Sequence, residues 1–322
     1  MIHPTPPGTR DVLPDEMREL RALAAVLRSA FEHAGFGEVR TPALEYEDVL
    51  RRGEERGGPA GFRLFDSDGH VLALRSDMTV PIARVVAARY ADAEPPFRLS
   101  YFAHAFRAVE RGRGQAAEFL QGGIELVGPP APAGDAEVVS LVLEALDQAG
   151  LRRHRIGLGD ASLYPALLER LEVPDDERAP LLERLGRRDL VGLEQRVDRL
   201  GLAARERELL VTLPTLRGGP EVLERLSGSL APAVENLRGC YELLAERGAA
   251  ERVILDLGLV LELGYYTGAV FELYDPAVGF VLGSGGRYDD LLGRFGRPLP
   301  ACGMGLNIER LHVAKTAEER LR

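Results

Sequence analysis

Residues 97–109, FRLSYFAHAFRAV, and 116–128, AAEFLQGGIELVG, decide the architecture of this chain. Both are strand-length and rich in apolar residues, and the segment between them, ERGRGQ (110–115), is rich in arginine and glycine. Two such runs joined by a short polar connection predict neighbouring antiparallel strands. Upstream, FRLFDSDGHVLALRSD (62–77) predicts two more strands around a Ser67-Asp68-Gly69 turn, followed by a helix over Val80–Tyr90. GFGEVRTPALEY (35–46) reads as one strand closed by Pro42. Asp15–Ala34 reads as a helix, because Leu20, Leu23, Leu27, Ala30 and Phe31 recur at helical spacing between Pro14 and Gly35.

Downstream, PPAPAG (129–134) breaks the chain before a helix predicted over Asp135–Ala149. From about Ser162 to Arg252 the pattern changes to leucine-rich, charge-laced helices such as APLLERLGRRDLVGLEQRVDRL (179–200). Strands return in ERVILDLGLVLELGYYTGAVFELYD (251–275) and GFVLGSGGRYDDLL (279–292), and the chain closes on a helix containing Asn307–Thr316. The expected organisation is a first core segment at 1–161, a helical insertion at 162–252 and a second core segment at 253–322. Antiparallel strands with helices to one side imply the α+β class rather than a doubly wound parallel sheet.

Composition narrows the possible functions. With 322 residues and 45% hydrophobic content the chain can bury a large core. It contains no apolar run near the roughly 20 residues that a bilayer span needs, and MIHPTPPGTR lacks the features of a signal peptide, so a cytoplasmic protein without membrane contact is expected. The formal net charge of −10 opposes a polyanion partner. Lys315 is the only lysine, which excludes Schiff-base chemistry elsewhere in the chain. Cys240, Cys302 and the six scattered histidines show no metal-ligand spacing. GSGGRYDD (283–290) lacks the dinucleotide-binding spacing, and neither a P-loop nor a nucleophile elbow occurs. No cofactor and no metal are expected.

Several polar residues sit in stretches that otherwise read as buried strands. Asp77 and Thr79 close LRSD, Gln121 and Glu125 punctuate LQGGIELVG, and in GLVLELGYYTG (258–268) strand parity groups Tyr266 with Glu262, Gly264 and Gly268. An unsatisfied buried polar group costs about 1–3 kcal/mol. One such residue alone is more often structural, whereas five in register predict a polar pocket.

The order of motifs then carries a resemblance. GTRDVLP (8–14), TPALE (41–45), LRSDMT (74–79), FRAVERGRGQAAEFLQGGIE (106–125), YYTGAVFE (265–272), GGRYDDL (285–291) and GMGLNIERL (303–311) resemble the catalytic core of histidyl-tRNA synthetases, nearly end to end. The resemblance implies a class II synthetase core that dimerises through its first helix and the strand around Pro42. It also implies a histidine pocket made of Asp77, Thr79, Gln121, Glu125, Tyr265 and Tyr266. Asp77 stands where the family has the longer glutamate.

The activation machinery departs from that pattern. Leu261-Glu262-Leu263-Gly264 replaces Arg-Gly-Leu-Asp, Ala108-Val109 ends the FRxE motif, Gly114-Gln115-Ala116-Ala117 replaces Gly-Arg-x-Arg, and Asn307 replaces a glycine near the adenine. Arg107 and Arg310 remain as a residual anion-binding pair, while Arg111 and Arg113 stand in a different register. The chain ends at Arg322, so the anticodon-binding domain is expected to be absent and tRNA is not an expected partner. A core with the amino-acid pocket but without activation chemistry resembles the regulatory subunits of ATP phosphoribosyltransferase. That resemblance implies a separate short-form catalytic subunit as partner, L-histidine as effector, a homodimer within a hetero-oligomer, and no catalysis by this chain. The alternatives are a truncated ligase that still adenylates histidine or a related amino acid, and an RNA-binding paralogue.

Overall fold

The computed structural model describes residues 5–53, 61–108, 116–226, 230–261 and 263–321. The first half contains α1 (Pro14–His33), β1 (Gly37–Glu38), β2 (Leu44–Tyr46), α2 (Glu47–Arg51), β3 (Arg63–Phe65), β4 (Val71–Leu74), α3 (Thr79–Arg89), β5 (Phe97–Phe106), β6 (Glu118–Val127), α4 (Ala133–Gln148) and β7 (Arg155–Asp160). There follow α5 (Leu163–Arg170), α6 (Asp175–Gly186), α7 (Leu190–Val197), α8 (Ala204–Thr212), a two-residue β8 (Arg217–Gly218) and α9 (Ala231–Glu246). The chain then returns through β9 (Val253–Asp256), β10 (Ala269–Tyr274), β11 (Val281–Arg287) and β12 (Ala301–Asn307) to α10 (Ile308–Arg320).

Local chemistry accounts for the ends of α1. Pro14 tolerates the first helical turn because its missing N–H has no partner there, and Asp15 and Glu16 complement the positive end of the helix dipole. Gly35, at φ +84°, takes the left-handed conformation just past the end. Leu20, Leu23, Ala24, Leu27, Ala30 and Phe31 form the buried stripe, and each large member contributes about 1.5–3 kcal/mol on burial. That stripe packs against α4, α10 and one face of the main sheet.

The main sheet has nine strands in the order β1-β5-β6-β12-β11-β10-β7-β9-β8, and a second sheet has the order β2-β4-β3. The predicted β5 and β6 pair antiparallel across their full length, from Phe97↔Val127 to Phe106↔Glu118. The fold is α+β, but the main sheet is mixed, since β1 runs parallel to β5 and β7 parallel to β9. GFGEVRTPALEY is not one strand: β1 joins the main sheet and β2 the small one. The carbonyls of Thr41 and Pro42, freed at this crossing, accept from the buried Arg75 guanidinium at 2.9 Å each. Three strands were not anticipated: β7, the two-residue β8 within the segment read as helical, and β12 in the interior of the sheet.

The expected strand over 258–268 is also revised. Strand β10 begins only at Ala269, and Tyr265 and Tyr266 lie in the turn that precedes it, so they reach the sheet from an incoming loop rather than through strand parity. Glu262, and the loop residues Val109, Arg111, Arg113, Gly114 and Gln115, lie outside the described residues. One face of the main sheet is covered by α1, α4, α9 and α10. On the opposite face a smaller apolar cluster, with Met78, Val80, Ile82 and Val86 from the α3 segment, packs on Leu99 and Tyr101. Among the described residues no helix is long and apolar enough to cross a membrane.

Candidate functional site

Strand register gathers the site on the face opposite α4. Gln121, Gly123 and Glu125 of β6 share a face, with Ala103, Tyr101 and Leu99 of β5 on one side and Asn307, Gly305 and Gly303 of β12 on the other. Gly303 and Gly305 pair in turn with Gly286 and Ser284 of β11. The floor of the site is therefore largely backbone.

The glycines are required by the polar side chains that lie across them. A Cβ at Gly303 would stand 1.6 Å from Glu125 Oε2, one at Gly305 2.5 Å from Gln121 Nε2, and one at Gly286 2.8 Å from the Tyr266 ring. Gly303→Ala is accordingly expected to destabilise the protein by about 1–3 kcal/mol through overpacking. Urea titration checks this, and an unchanged midpoint would mean that the strands can spread to admit the methyl group.

Glu125 is the centre of the arrangement and is only 1% exposed. Its Oε1 accepts from Thr79 Oγ1 at 2.8 Å, and its Oε2 accepts from the Tyr288 hydroxyl in a short bond. The Tyr101 hydroxyl is a further partner. Burial pushes the Glu125 carboxyl up to about 7, against the opposing pull of the Tyr288 and Thr79 hydrogen bonds. Since this folded value exceeds the ordinary 4.5, the group supports folding fully below about pH 4.5 and loses that contribution as pH rises through 7. An N–H-donating or cationic ligand would offset that loss.

The other expected residues surround this carboxylate. Asp77 Oδ1 accepts from the backbone N–H of Thr79 at 2.9 Å and of Val80 at 3.4 Å, at the first turn of α3. Its carboxyl is raised by burial, with the Arg107 charge acting in the opposite direction. The Tyr265 ring lies 4.8 Å from that of Tyr266 and 5.9 Å, edge-on, from that of Tyr288. Gln121 is 8% exposed, and its Oε1 has no hydrogen-bond partner among the described residues. Asp77, Thr79, Gln121, Glu125, Tyr265 and Tyr266 thus form one cluster. Tyr101 and Tyr288 belong to it and were missed. Tyr101 sits in an apolar-looking strand and Tyr288 follows a glycine-rich run, although both fall beside Glu125 once the register is known.

Arg107 and Arg310 stand at the edge of the same face. Exposed Arg107 donates to Ser76 O at 3.4 Å and lies over the Phe119 ring. Arg310 donates to Val281 O at 2.7 Å, and burial, then the neighbouring Arg107 charge, hold its pKa below the usual value. Asn307 ends β12 and caps α10, with Oδ1 accepting from Arg310 N at 2.9 Å. Ala117, at a family arginine position, is buried and bonded through its backbone to Gly8 O at 2.7 Å. A separate cavity of about 500 Å³ between α5 and α8, bordered by Leu171, Arg205, Leu209 and Leu226, shares no residue with this cluster.

A mixed sheet with one face under helices and the other bearing a buried carboxylate, an amide oxygen without a partner among the described residues and a tyrosine wall defines a class II synthetase-like core. The histidyl-tRNA synthetase family model matches residues 8–311. The ATP phosphoribosyltransferase regulatory subunit of Rubrobacter xylanophilus is 45% identical over 315 residues, covering 95% of this chain and 75% of that protein. The subunit of the same name from Desulforamulus reducens is 42% identical over 313 residues, covering 96% and 78%. A crystal structure from Bacillus halodurans, described as an ATP phosphoribosyltransferase regulatory subunit/histidyl-tRNA synthetase, superposes with a TM-score of 0.90 at 35% identity, covering 98% of this chain and 83% of that one. The chain belongs to the histidyl-tRNA synthetase-like family of ATP phosphoribosyltransferase regulatory subunits.

Proposed function

We propose that this chain is the histidine-sensing, non-catalytic subunit of a cytoplasmic ATP phosphoribosyltransferase. It activates a separate short-form catalytic subunit and transmits feedback inhibition by L-histidine. In this reading it acts as a homodimer within a hetero-oligomer, its helical segment at 162–252 is an insertion between two halves of the core, and tRNA is not a partner. The observation that carries the reading is Glu125, buried against three hydroxyl partners beside Gln121, whose amide oxygen is buried and unpartnered. Histidine supplies what such a set needs: imidazole N–H for the carboxylate and an α-ammonium group for the acceptors of Asp77, Thr79 and Gln121. The like charges of Arg107 and Arg310 favour an anion between them, and we assign them a residual anion-binding role at the pocket edge.

Calorimetry tests the sensing role. Purified protein is expected to bind L-histidine in the absence of ATP, and Glu125→Ala or Tyr266→Phe to weaken binding by about 1–3 kcal/mol. Unchanged affinity in both variants would place the sensor elsewhere.

A further inference from the structure

We infer that Arg287, clamped by Asp135 of α4, is a positioning residue that fixes both tyrosine walls of the pocket from the opposite side of the sheet. Arg287 is the last residue of β11 and only 2% exposed. Its Nε donates to Asp135 Oδ1 at 2.8 Å and Oδ2 at 3.1 Å, and its Nη1 donates to Asp289 Oδ1 at 2.9 Å. Glycines border the guanidinium path: a Cβ at Gly134 would meet Nη2 at 3.0 Å, and one at Gly268 would meet Cδ at 3.3 Å.

The array grips the tyrosines through backbone bonds. Thr267, directly after Tyr265 and Tyr266, donates its N–H to Arg287 O at 2.8 Å, and its Oγ1 accepts from Asp289 N at 3.0 Å. Asp289 Oδ1 also accepts from Ala301 N at 3.0 Å, while Ala301 O accepts from Tyr288 N at 2.8 Å. Tyr288, the partner of Glu125, is therefore held between two residues of the array. A buried ion pair is rarely a better stabiliser than apolar packing of equal volume, because both charges lose their hydration. Its return here is geometric: one guanidinium sets the tyrosine turn, Tyr288 and the start of β12 relative to α4.

The inference rests on the pocket reading above for its ligand, so the test has one readout that needs histidine and one that does not. Thr267→Val removes the half-buried hydroxyl at the far end of the array and leaves the Asp135–Arg287 pair intact. Asp289→Asn, which removes the charge facing Arg287 Nη1, serves as the second variant if Thr267→Val does not fold. The chain has no tryptophan, so near-ultraviolet circular dichroism reports the packed tyrosines directly. Thr267→Val is expected to change that spectrum and weaken histidine binding about tenfold. The far-ultraviolet spectrum should be retained, the melting temperature should fall by no more than about 3 °C, and Thr267→Ser should restore both readouts. Arg287→Lys, which keeps a charge beside Asp135 but lacks the second arm that reaches Asp289, is expected to show the same losses. Wild-type tyrosine spectra and histidine affinity in both Thr267→Val and Arg287→Lys would overturn the inference. If the unmutated protein binds no histidine, the sensing role fails, and the tyrosine spectra alone decide whether Arg287 and its array position the walls.

Discussion

ATP–pyrophosphate exchange with histidine is expected to remain at background when this chain is assayed alone. Leu261 replaces the arginine that lies at the reacting carboxylate in synthetases, and Ala117 holds a buried backbone position where they carry another cation. Of the cations that remain, Arg310 already donates to Val281 O. Losing a single preorganised donor to developing charge costs about 3–4 kcal/mol, or roughly 10²–10³ in rate, and here several are gone. Restoring Leu261→Arg alone should not create exchange, because groups that act as a unit are not additive. Robust exchange by the unmutated chain would favour a truncated ligase instead.

The second large effect is the separation of activation from feedback. Added to the short catalytic subunit, this chain should raise phosphoribosyltransferase activity, and histidine should lower the activity of the mixture far more than that of the catalytic subunit alone. A mixture carrying Glu125→Ala and Gln121→Ala should keep activation and lose inhibition at histidine concentrations that silence the wild-type assembly. The physical requirement is differential affinity: a ligand that binds two states of the assembly equally shifts neither. Linkage then requires that any effector favouring the active state also weaken histidine binding. Inhibition that persists unchanged in the double variant would move the sensor to a subunit contact.

How much of this could be read in the residues depended on where glycine fell. Helix α1 and the β5–β6 pair were legible because their apolar spacing and stop signals agree with the tertiary fold. Strands β7 (RIGLGD) and β12 (ACGMGLN) were not, because glycine alternates there with single apolar residues, whereas the glycines of β6 and β11 adjoin apolar runs that still read as strand. In β12 that glycine is imposed from the neighbouring strand, by Glu125 and Gln121 lying where side chains would stand. The six candidate residues were recognisable as a motif series, and the fold brings them together. The path of the tyrosines was not recognisable, since an alternating run with two aromatics looks like a strand, whereas the strand begins only at Ala269 and Thr267 N–H donates to Arg287 O ahead of it. Tyr101 and Tyr288 needed the register itself.

The glycine floor has a consequence for how the shape of this site can change over time. A wall of side chains can be recut residue by residue, each exchange trading one shape for another. A floor of bare backbone at Gly286, Gly303 and Gly305 has nothing left to remove. Every substitution there is an addition of bulk, and at these three positions the bulk falls on Tyr266, Glu125 or Gln121 before it reaches a ligand. Enlargement of the site by substitution is therefore closed along the floor and remains open only at the rim, where side chains can still be exchanged.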